Sequence, residues 1–293
     1  MTLAKYQAFI TVVEQGSFTR AAQELNCTQS AVSHSIDSLE QELGFSLIKR
    51  GRSGVHLTDD GERLLPAVRN LLSSAERLSQ TAAAIRGLDT GTVRIGAFTS
   101  VAVHWLPGVL KAFQQDYPNV SCMLKNGDYF DVESWLTDGS IDVGFVNVPC
   151  GVKCECIPLM EDRLLAVLPL NSRFANYPKF PIVECEHEPF ISLLESSAQD
   201  SRRALEAAGV TPNVRFYTKD DYAIIAMVEN GLGMSIQPEL LLKGRDDKVQ
   251  TMPLIPEAKR TIGLAIAAGD RAGPATRRFA DYVVRYVTEH ANN

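Results

Sequence analysis

The stretch from Ser17 to Arg52 decides the fold of the N-terminal region: SFTRAAQELNCTQSAVSHSIDSLEQELGFSLIKRGR. Apolar residues recur in it at steps of three and four, which places them along one side of two short helices. Ser17 and Thr28 can each cap a helix through the hydroxyl group, and Gly44 is typical of a helix end. Because only a tight turn at Asn26-Cys27 separates the two helices, the pattern predicts a helix-turn-helix. The small side chains predicted at the helix crossing are those of Ala21, Ala22 and Ala31.

The second helix has a polar side that suits recognition of bases. At about 100° per residue, Ser30 and His34 lie opposite the apolar stripe, and Gln29 and Ser33 lie on its flank. Hydroxyl, amide and imidazole groups in the first two turns of such a helix can bond to base edges in the major groove. An ordinary structural helix pair would show the same periodicity, so the pattern alone leaves both interpretations open.

The residues after this helix predict a basic β-hairpin, or wing. Two short strands, at 47–52 and 55–57, surround a glycine-containing turn with cations at its tip. A hairpin of this kind can contact phosphates or the minor groove of DNA. The predicted DNA-contacting residues are Arg20, Gln29, Ser30, Ser33, His34, Arg50 and Arg52.

Five sub-motifs in one register resemble the signature of the LysR-type transcriptional regulators. They are Ser17-Phe18-x-x-Ala21-Ala22-x-x-Leu25, Gln29-Ser30-Ala31-Val32-Ser33, Ile36-x-x-Leu39-Glu40-x-x-Leu43-Gly44, Leu47-x-x-Arg50 and Leu57-Thr58-x-x-Gly61. Two positions depart from the family pattern: Ile48 stands where Phe is usual, and His34 where Arg or Gln is common. The resemblance implies a regulator that binds an imperfect palindrome of double-stranded DNA as a homodimer or, as is frequent in the family, a homotetramer.

The composition shows that bulk charge cannot explain DNA binding. The net charge of the 293 residues is −6, and residues 1–60 hold seven acidic side chains against five basic ones. Binding would therefore depend on where the cations lie, and it favours a dimer that adds two copies of the phosphate contacts. The N-terminus has no signal-peptide pattern, and no apolar run reaches the ~18 residues of a membrane span. We therefore expect a cytoplasmic protein with no membrane partner and with reduced cysteines.

A long helix is predicted to begin at the Thr58 cap and to run to Ile85. Its apolar residues alternate at steps of three and four, which is typical of a seam for a partner helix, although the stripe could instead pack on its own domain. After a linker at Gly87–Gly91, strands and helices alternate, which predicts a parallel sheet covered by helices. Residues 100–116 read as one helix, and the strand 163–169 as the crossover into a second lobe.

The predicted fold class is therefore multidomain. A mainly α winged helix-turn-helix (1–58) precedes a linker, or dimerisation, helix and hinge (59–90) and a two-lobed α/β effector-binding domain (91–293). Lobe I covers about 91–162 and 268–293, and lobe II about 163–267. The two lobes with two crossovers resemble the periplasmic-binding-protein fold, which the effector domain of the LysR-type family has.

A ligand is expected where strands end and helices begin, between the lobes. Helix N-termini favour negative charge, so the predicted effector is a small anion, namely a carboxylate. Lys219 is the only cation expected at these strand ends. The alternative is that the serines only cap helices. The predicted effector contacts are Thr99, Ser100, Asn126, Gly127, Asn147, Ser196, Ser197, Gln199 and Thr218.

The cysteines offer a different function, that of a metal- or thiol-redox-sensing regulator or small-molecule-binding protein. Thiolate and imidazole ligands suit zinc or copper(I), but the spacing lacks a C-x-x-C pair, and cytosolic cysteines are usually small buried hydrophobes. Cys27 and Cys122 are predicted to be core residues. The sequence contains no nucleophile or phosphate-binding motif, so we expect neither an enzyme nor a cofactor. The candidate metal ligands are Cys150, Cys154, Cys156, Cys185 and His187.

Overall fold

The computed structural model describes residues 2–51, 54–87, 89–194, 199–245, 247–267 and 272–290. The predicted caps of the helix-turn-helix are confirmed, because the hydroxyl of Ser17 accepts the N–H of Arg20 and that of Thr28 accepts the N–H of Ala31. Gly44 ends the second helix at a φ of 81°. The elements of this region are α1 (Leu3–Gln15), α2 (Phe18–Glu24), α3 (Gln29–Leu43), β1 (Ile48–Gly51) and β2 (Gly54–Leu57).

The crossing of α2 and α3 differs in one detail from the prediction. Ala21 and Ala22 are buried there, as small residues at a close crossing should be. Ala31 is instead exposed on the outer side of α3, and Cys27 is exposed in the turn, so the prediction that these two are interior residues is wrong. Phe9 of α1 fills the space beneath the pair and is fully buried.

Helix α4 (Asp59–Ile85) continues for 27 residues. The hydroxyl of Thr58 caps it by accepting the N–H of Gly61 at 2.9 Å. Asp59, Asp60 and Glu62 lie in its first turn, where carboxylates interact favourably with the helix dipole.

The first lobe of the C-terminal region has three parallel strands, with β3 between β4 and β5. The predicted single helix at 100–116 is wrong, because the chain breaks at Trp105 into α5 and α6. Pro107, in the first turn of α6, lacks the N–H that a continuous helix would use. The elements are β3 (Gly91–Ala97), α5 (Thr99–His104), α6 (Leu106–Asp116), β4 (Val120–Asn126), α7 (Tyr129–Asp138) and β5 (Val143–Asn147).

The second lobe repeats the alternation of strands and helices around its own core. In it β8 pairs in parallel with β9, and Phe180 and Phe190 are fully buried. A 3₁₀ helix, Ile182–Glu186, lies between β7 and β8. The elements are β7 (Phe180–Pro181), β8 (Phe190–Leu193), α8 (Gln199–Ala207), β9 (Val214–Thr218), α9 (Asp221–Glu229), β10 (Ser235–Pro238), α10 (Glu239–Leu242) and β11 (Gln250–Ile255).

Two long antiparallel strands join the lobes. They are β6 (Cys154–Leu168) and β12 (Lys259–Ala267), and the chain then ends in α11 (Pro274–His290) on the first lobe. The N-terminal half of β6 pairs with β12, while its C-terminal half pairs with β10 and β11 of the second lobe. The strand predicted to start at residue 163 thus begins at Cys154 and already forms part of the first-lobe sheet.

Helix α4 contacts both regions of the chain. Near its start it packs against α1. Farther along, Arg69 forms an ion pair with Asp138 at the end of α7, and Gln80 is buried against Gly91 and Gly273.

We predict that Gly61→Ala destabilises the N-terminal region. Alanine is normally better than glycine inside a helix by about 1 kcal/mol, but a methyl group here would overlap the backbone carbonyl oxygen of Leu47. We expect a net loss of about 1–3 kcal/mol in urea unfolding of the full chain. Glu62→Ala, an exposed change in the same turn, should cost well under 1 kcal/mol. Equal stability of Gly61→Ala and the unmodified chain would contradict this packing.

Candidate nucleic-acid interface and effector pocket

The first two turns of α3 present polar side chains to solvent. Gln29, Ser30 and His34 are exposed, and Ser33 is half-buried. The hydroxyl of Ser30 lies 3.0 Å from that of the capping residue Thr28, within hydrogen-bond distance. The helix has no acidic residue in its first turn, which leaves this end open to a phosphate backbone.

The hairpin lies beside this helix in the same small domain. β1 and β2 pair antiparallel, with Ile48 opposite Leu57, and Lys49 is exposed on β1. Arg20 is exposed on α2. The predicted contacts from Arg50 and Arg52 lie outside the described side chains.

An apolar seam on α4 is left uncovered. Leu71, Leu78 and Ile85 recur every seven residues and are 42%, 73% and 82% exposed. A repeat of seven matches the spacing at which one helix meets a partner helix. Other residues of α4, such as Val68 and Ala83, are buried against the rest of the chain, so the seam is a separate side of the helix.

A cavity of about 350 Å³, the cleft pocket, lies between the two lobes. Of the nine predicted effector contacts, Thr99, Ser100, Asn126 and Gly127 line it. The other lining residues include Phe98, Asp128, Tyr129, Phe130, Asp131, Leu193, Asp200, Ser201, Lys219, Asp221, Ile236, Gln237, Pro238, Leu241 and Arg260.

The remaining predicted contacts are placed differently. Asn147 is buried outside the pocket lining, where its side-chain amide donates to Asp200 at 2.7 Å. The hydroxyl of Thr218 accepts the N–H of Asp220 and also does not line the pocket. Ser196 and Ser197 lie outside the described residues, as does the side chain of Gln199, although its backbone begins α8.

The residue that organises the pocket is Arg260, which the sequence reasoning missed. Its side chain is 4% exposed, and all five of its N–H groups have partners. Nε and Nη2 donate to Asp162 at 2.9 and 2.6 Å, and Nη2 also donates to the hydroxyl of Ser100 at 2.8 Å. Nη1 donates to the hydroxyl of Tyr129 at 2.6 Å and lies 3.5 Å from Asp200. The expectation that Lys219 is the only cation at this edge is therefore wrong.

Asp200 of α8 connects the second lobe to the first. Its carboxylate accepts the hydroxyl of Tyr129 at 2.6 Å, the amide of Asn147 at 2.7 Å and Arg203 of its own helix at 2.7 Å. Burial raises the pKa of the Tyr129 hydroxyl, which therefore keeps its proton for Asp200. A second contact across the cleft joins Thr99 to Asp221.

Comparison with known proteins places these two sites in one family. The model of the bacterial regulatory helix-turn-helix protein, lysR family, matches residues 3–62, and that of the LysR substrate binding domain matches residues 86–288. The chain belongs to the LysR family of transcriptional regulators. It is therefore a DNA-binding regulator with an effector-binding domain, not an enzyme.

Relatives and solved structures agree with this family along almost the whole chain. The regulator is 33% identical over 284 residues to the uncharacterized HTH-type transcriptional regulator YvbU of Bacillus subtilis, covering 96% of this chain and 97% of that protein. Its fold matches a full-length cysteine-to-aspartate variant of OxyR from Pseudomonas aeruginosa with a TM-score of 0.79 at 20% identity, covering 98% and 94% of the two chains. It also matches full-length CbnR in complex with target DNA, with a TM-score of 0.65 at 23% identity and coverage of 98% and 100%.

The lining of the cleft in this LysR-family regulator is more acidic than basic. Two other helices that begin beside the cleft are capped by carboxylates, α7 by Asp128 and α9 by Asp220, while α5, which begins at the predicted contact Thr99, has no side-chain cap. The lining holds four carboxylates against two cations, and Asp162 further neutralises Arg260. Burial raises the pKa of Asp221, and the hydrogen bond from Thr99 and the charge of Arg260 offset this only in part.

The candidate metal ligands lie in different parts of the fold. Cys185 is buried in the core of the second lobe, while Cys150, Cys154 and Cys156 pack beside the first-lobe core. His187 is exposed. Among the residues that the structure describes, no group of three or more potential ligands could hold a metal ion. Cys122 is half-buried against the first-lobe core, close to what was predicted.

Two of these thiols are nevertheless close together, which bears on redox sensing. The Sγ atoms of Cys150 and Cys154 are 3.0 Å apart. However, burial raises the pKa of Cys154 to about 12, with the neighbouring Cys150 thiol adding to the shift. Because the thiolate is the reactive form, a raised pKa slows oxidation. Separately, none of the described helices is long and apolar enough to cross a membrane.

We predict that Tyr129→Phe destabilises the effector-binding domain by about 1–3 kcal/mol, because a buried carboxylate and guanidinium each lose a hydrogen bond while the ring is kept. The measurement is urea unfolding of the full chain. Tyr177→Phe, at a tyrosine 52% exposed, is the matched control and should be neutral within about 0.5 kcal/mol. Equal losses in the two variants would contradict the buried network.

Proposed function

We propose that this regulator reads DNA with α3, holds the DNA backbone with the β1–β2 hairpin and acts as a homodimer joined along α4. The observation that carries the proposal is the exposed polar side of α3 beside the β1–β2 hairpin. The proposed base contacts are Gln29, Ser30, Ser33 and His34, and the proposed backbone contacts are Arg20, Arg50 and Arg52. Two copies related by a two-fold axis would recognise an imperfect palindrome, with half-sites about one helical turn or its multiples apart.

The homodimer rests on the exposed seam of α4. Three large apolar side chains at heptad spacing cost free energy when they face water, and a second copy of the same helix would cover them. Pairs of such dimers would give the homotetramer expected from the family resemblance.

Control is proposed to come from a small molecule in the cleft pocket. The volume of about 350 Å³ is at the lower end for small-molecule sites, and contacts across it already join the two lobes. A ligand can act only if it has different affinities for two arrangements of the protein. Thiol or metal sensing has less support, because Cys185 lies in the second lobe, apart from the other three cysteines, and the Cys154 thiol is held protonated.

The experiment that tests DNA reading compares the affinity for the intergenic DNA beside the regulator's own gene with that for random DNA, by fluorescence anisotropy across a salt series. We expect Ser33→Ala/His34→Ala to lose the preference for the specific DNA. Arg50→Ala should weaken binding to both DNAs and lower the salt slope by about one, because one phosphate contact is lost. Gln41→Ala, exposed in the last turn of α3, is the control and should bind as the unmodified protein does.

The result against this proposal is equally specific. If selection from random sequence returns no motif, with and without cell metabolites, the regulator does not read DNA through α3. If the double variant keeps its full preference while Gln41→Ala loses it, the reading surface lies elsewhere on the helix.

We predict that Leu78→Glu shifts the regulator from dimer to monomer in sedimentation velocity. A carboxylate placed in an apolar seam would have to lose its hydration when the helices pair. Ser79→Glu adds the same charge about 100° farther round the helix and should remain dimeric. A dimer that survives Leu78→Glu at the same concentration would place the interface on another surface.

A further inference from the structure

Arg260 and Tyr129 already use their hydrogen-bond donors within the protein, whereas Lys219, the other cation of the cleft pocket, has no ion pair of 4.0 Å or less among the described residues. Every N–H of Arg260 has a partner, and the hydroxyl of Tyr129 donates to Asp200. The hydroxyl of Thr99 is engaged with Asp221. An anionic ligand would have to break these bonds or pair with Lys219 alone, in a lining where acidic groups outnumber basic ones.

Some hydrogen-bond acceptors of the pocket, in contrast, can accept further hydrogen bonds. The partly buried carboxylate of Asp221 receives a hydrogen bond from Thr99 and, among the described residues, no ion pair of 4.0 Å or less. Asp200 differs, because its two oxygens accept bonds from Asn147, Arg203 and Tyr129. Asp221 and Asp131 are thus carboxylates of the lining that have no ion pair among the described residues, and a carboxylate can accept several hydrogen bonds.

The shape of the lining favours an organic ligand over a metal ion. The described carboxylates do not converge into any group of three that could hold a metal. Apolar side chains of Leu193, Ile236 and Leu241 line the same cavity, and Phe130 is an exposed aromatic ring at its edge. Such a surface suits a short hydrocarbon chain, and an aromatic face can also attract a cation.

From the acidic and partly apolar lining we propose that the effector is a small organic cation, an amine or guanidine. Its charged nitrogen would bind Asp221 between the lobes. The proposal rests on the proposed effector control through the cleft pocket and names the chemical class of that effector. The cation would supply the positive charge that the lining lacks and would bond to a carboxylate of the second lobe.

The test is isothermal titration calorimetry of the full-length regulator with three molecules of the same chain length: 1,4-diaminobutane, 1,4-butanediol and succinate. We expect the diamine to bind at millimolar concentration or better, and the diol and succinate to bind at least tenfold more weakly. Asp221→Asn should weaken the diamine at least tenfold, because it removes one charge at nearly constant volume. Asp281→Asn, at an exposed carboxylate of α11, is the matched control and should bind the diamine normally.

Three results would overturn the inference: tighter binding of succinate than of the diamine, no binding of the diamine, or equal binding of the diamine to Asp221→Asn. A second measurement distinguishes a wrong ligand class from the absence of the proposed effector control. Metabolite extract is divided into cationic, neutral and anionic pools by ion exchange, and each pool is added to the DNA-binding assay. Activity in the cationic pool supports the inference, whereas activity in another pool overturns it and leaves effector control standing. If none of the three pools is active, the result contradicts both the proposed effector control and the inference.

Discussion

The ion pair between Arg260 and Asp162 fixes the place where the two lobes meet. It joins β12 to β6 across the centre of the molecule, and the two side chains are 4% and 2% exposed. Removing two charges from water is costly, so a buried pair adds less to stability than its short distances suggest. Its effect here is geometric. Once the guanidinium is held by Asp162, its other donors can reach only the first-lobe residues Ser100 and Tyr129 and the second-lobe Asp200.

The N-terminal region could be predicted closely because its determinants are local. Ser17, Thr28 and Gly44 act on helices that begin or end beside them, and the caps are where the sequence places them. Gly61 is also constrained at short range in the sequence, since the atoms that a methyl group there would meet belong to Leu47, just before β1, and to Leu57 of β2. Ala31 shows the limit of this reasoning. Which side of α3 faces α2 depends on the crossing angle of the two helices, and small side chains specify that angle poorly.

The cleft could be located from the sequence, but its chemistry could not. Arg260 appears in the sequence as one cation at the start of an apolar strand, and its partners Asp162, Tyr129 and Ser100 lie 98, 131 and 160 positions away. Part of the acidic character around the cleft was nevertheless visible in the sequence. Asp128 and Asp220 each stand just before a helix, where a carboxylate caps the N-terminus and occupies the place of an anionic ligand.

Helix α7 gives the cleft a physical connection to the proposed dimer seam. Its first residue, Tyr129, bonds to Arg260 and Asp200 in the pocket, and its last residue, Asp138, forms the ion pair with Arg69 of α4. Ten residues of helix span about 15 Å, so α7 connects the two contacts directly. If a ligand draws the second lobe toward Asp221 and alters the Tyr129–Asp200 contact, the displacement of α7 must appear at Arg69, on the helix that carries Leu71 and Leu78. A cation between the lobes would thus act on the spacing of two DNA-reading domains without touching either of them.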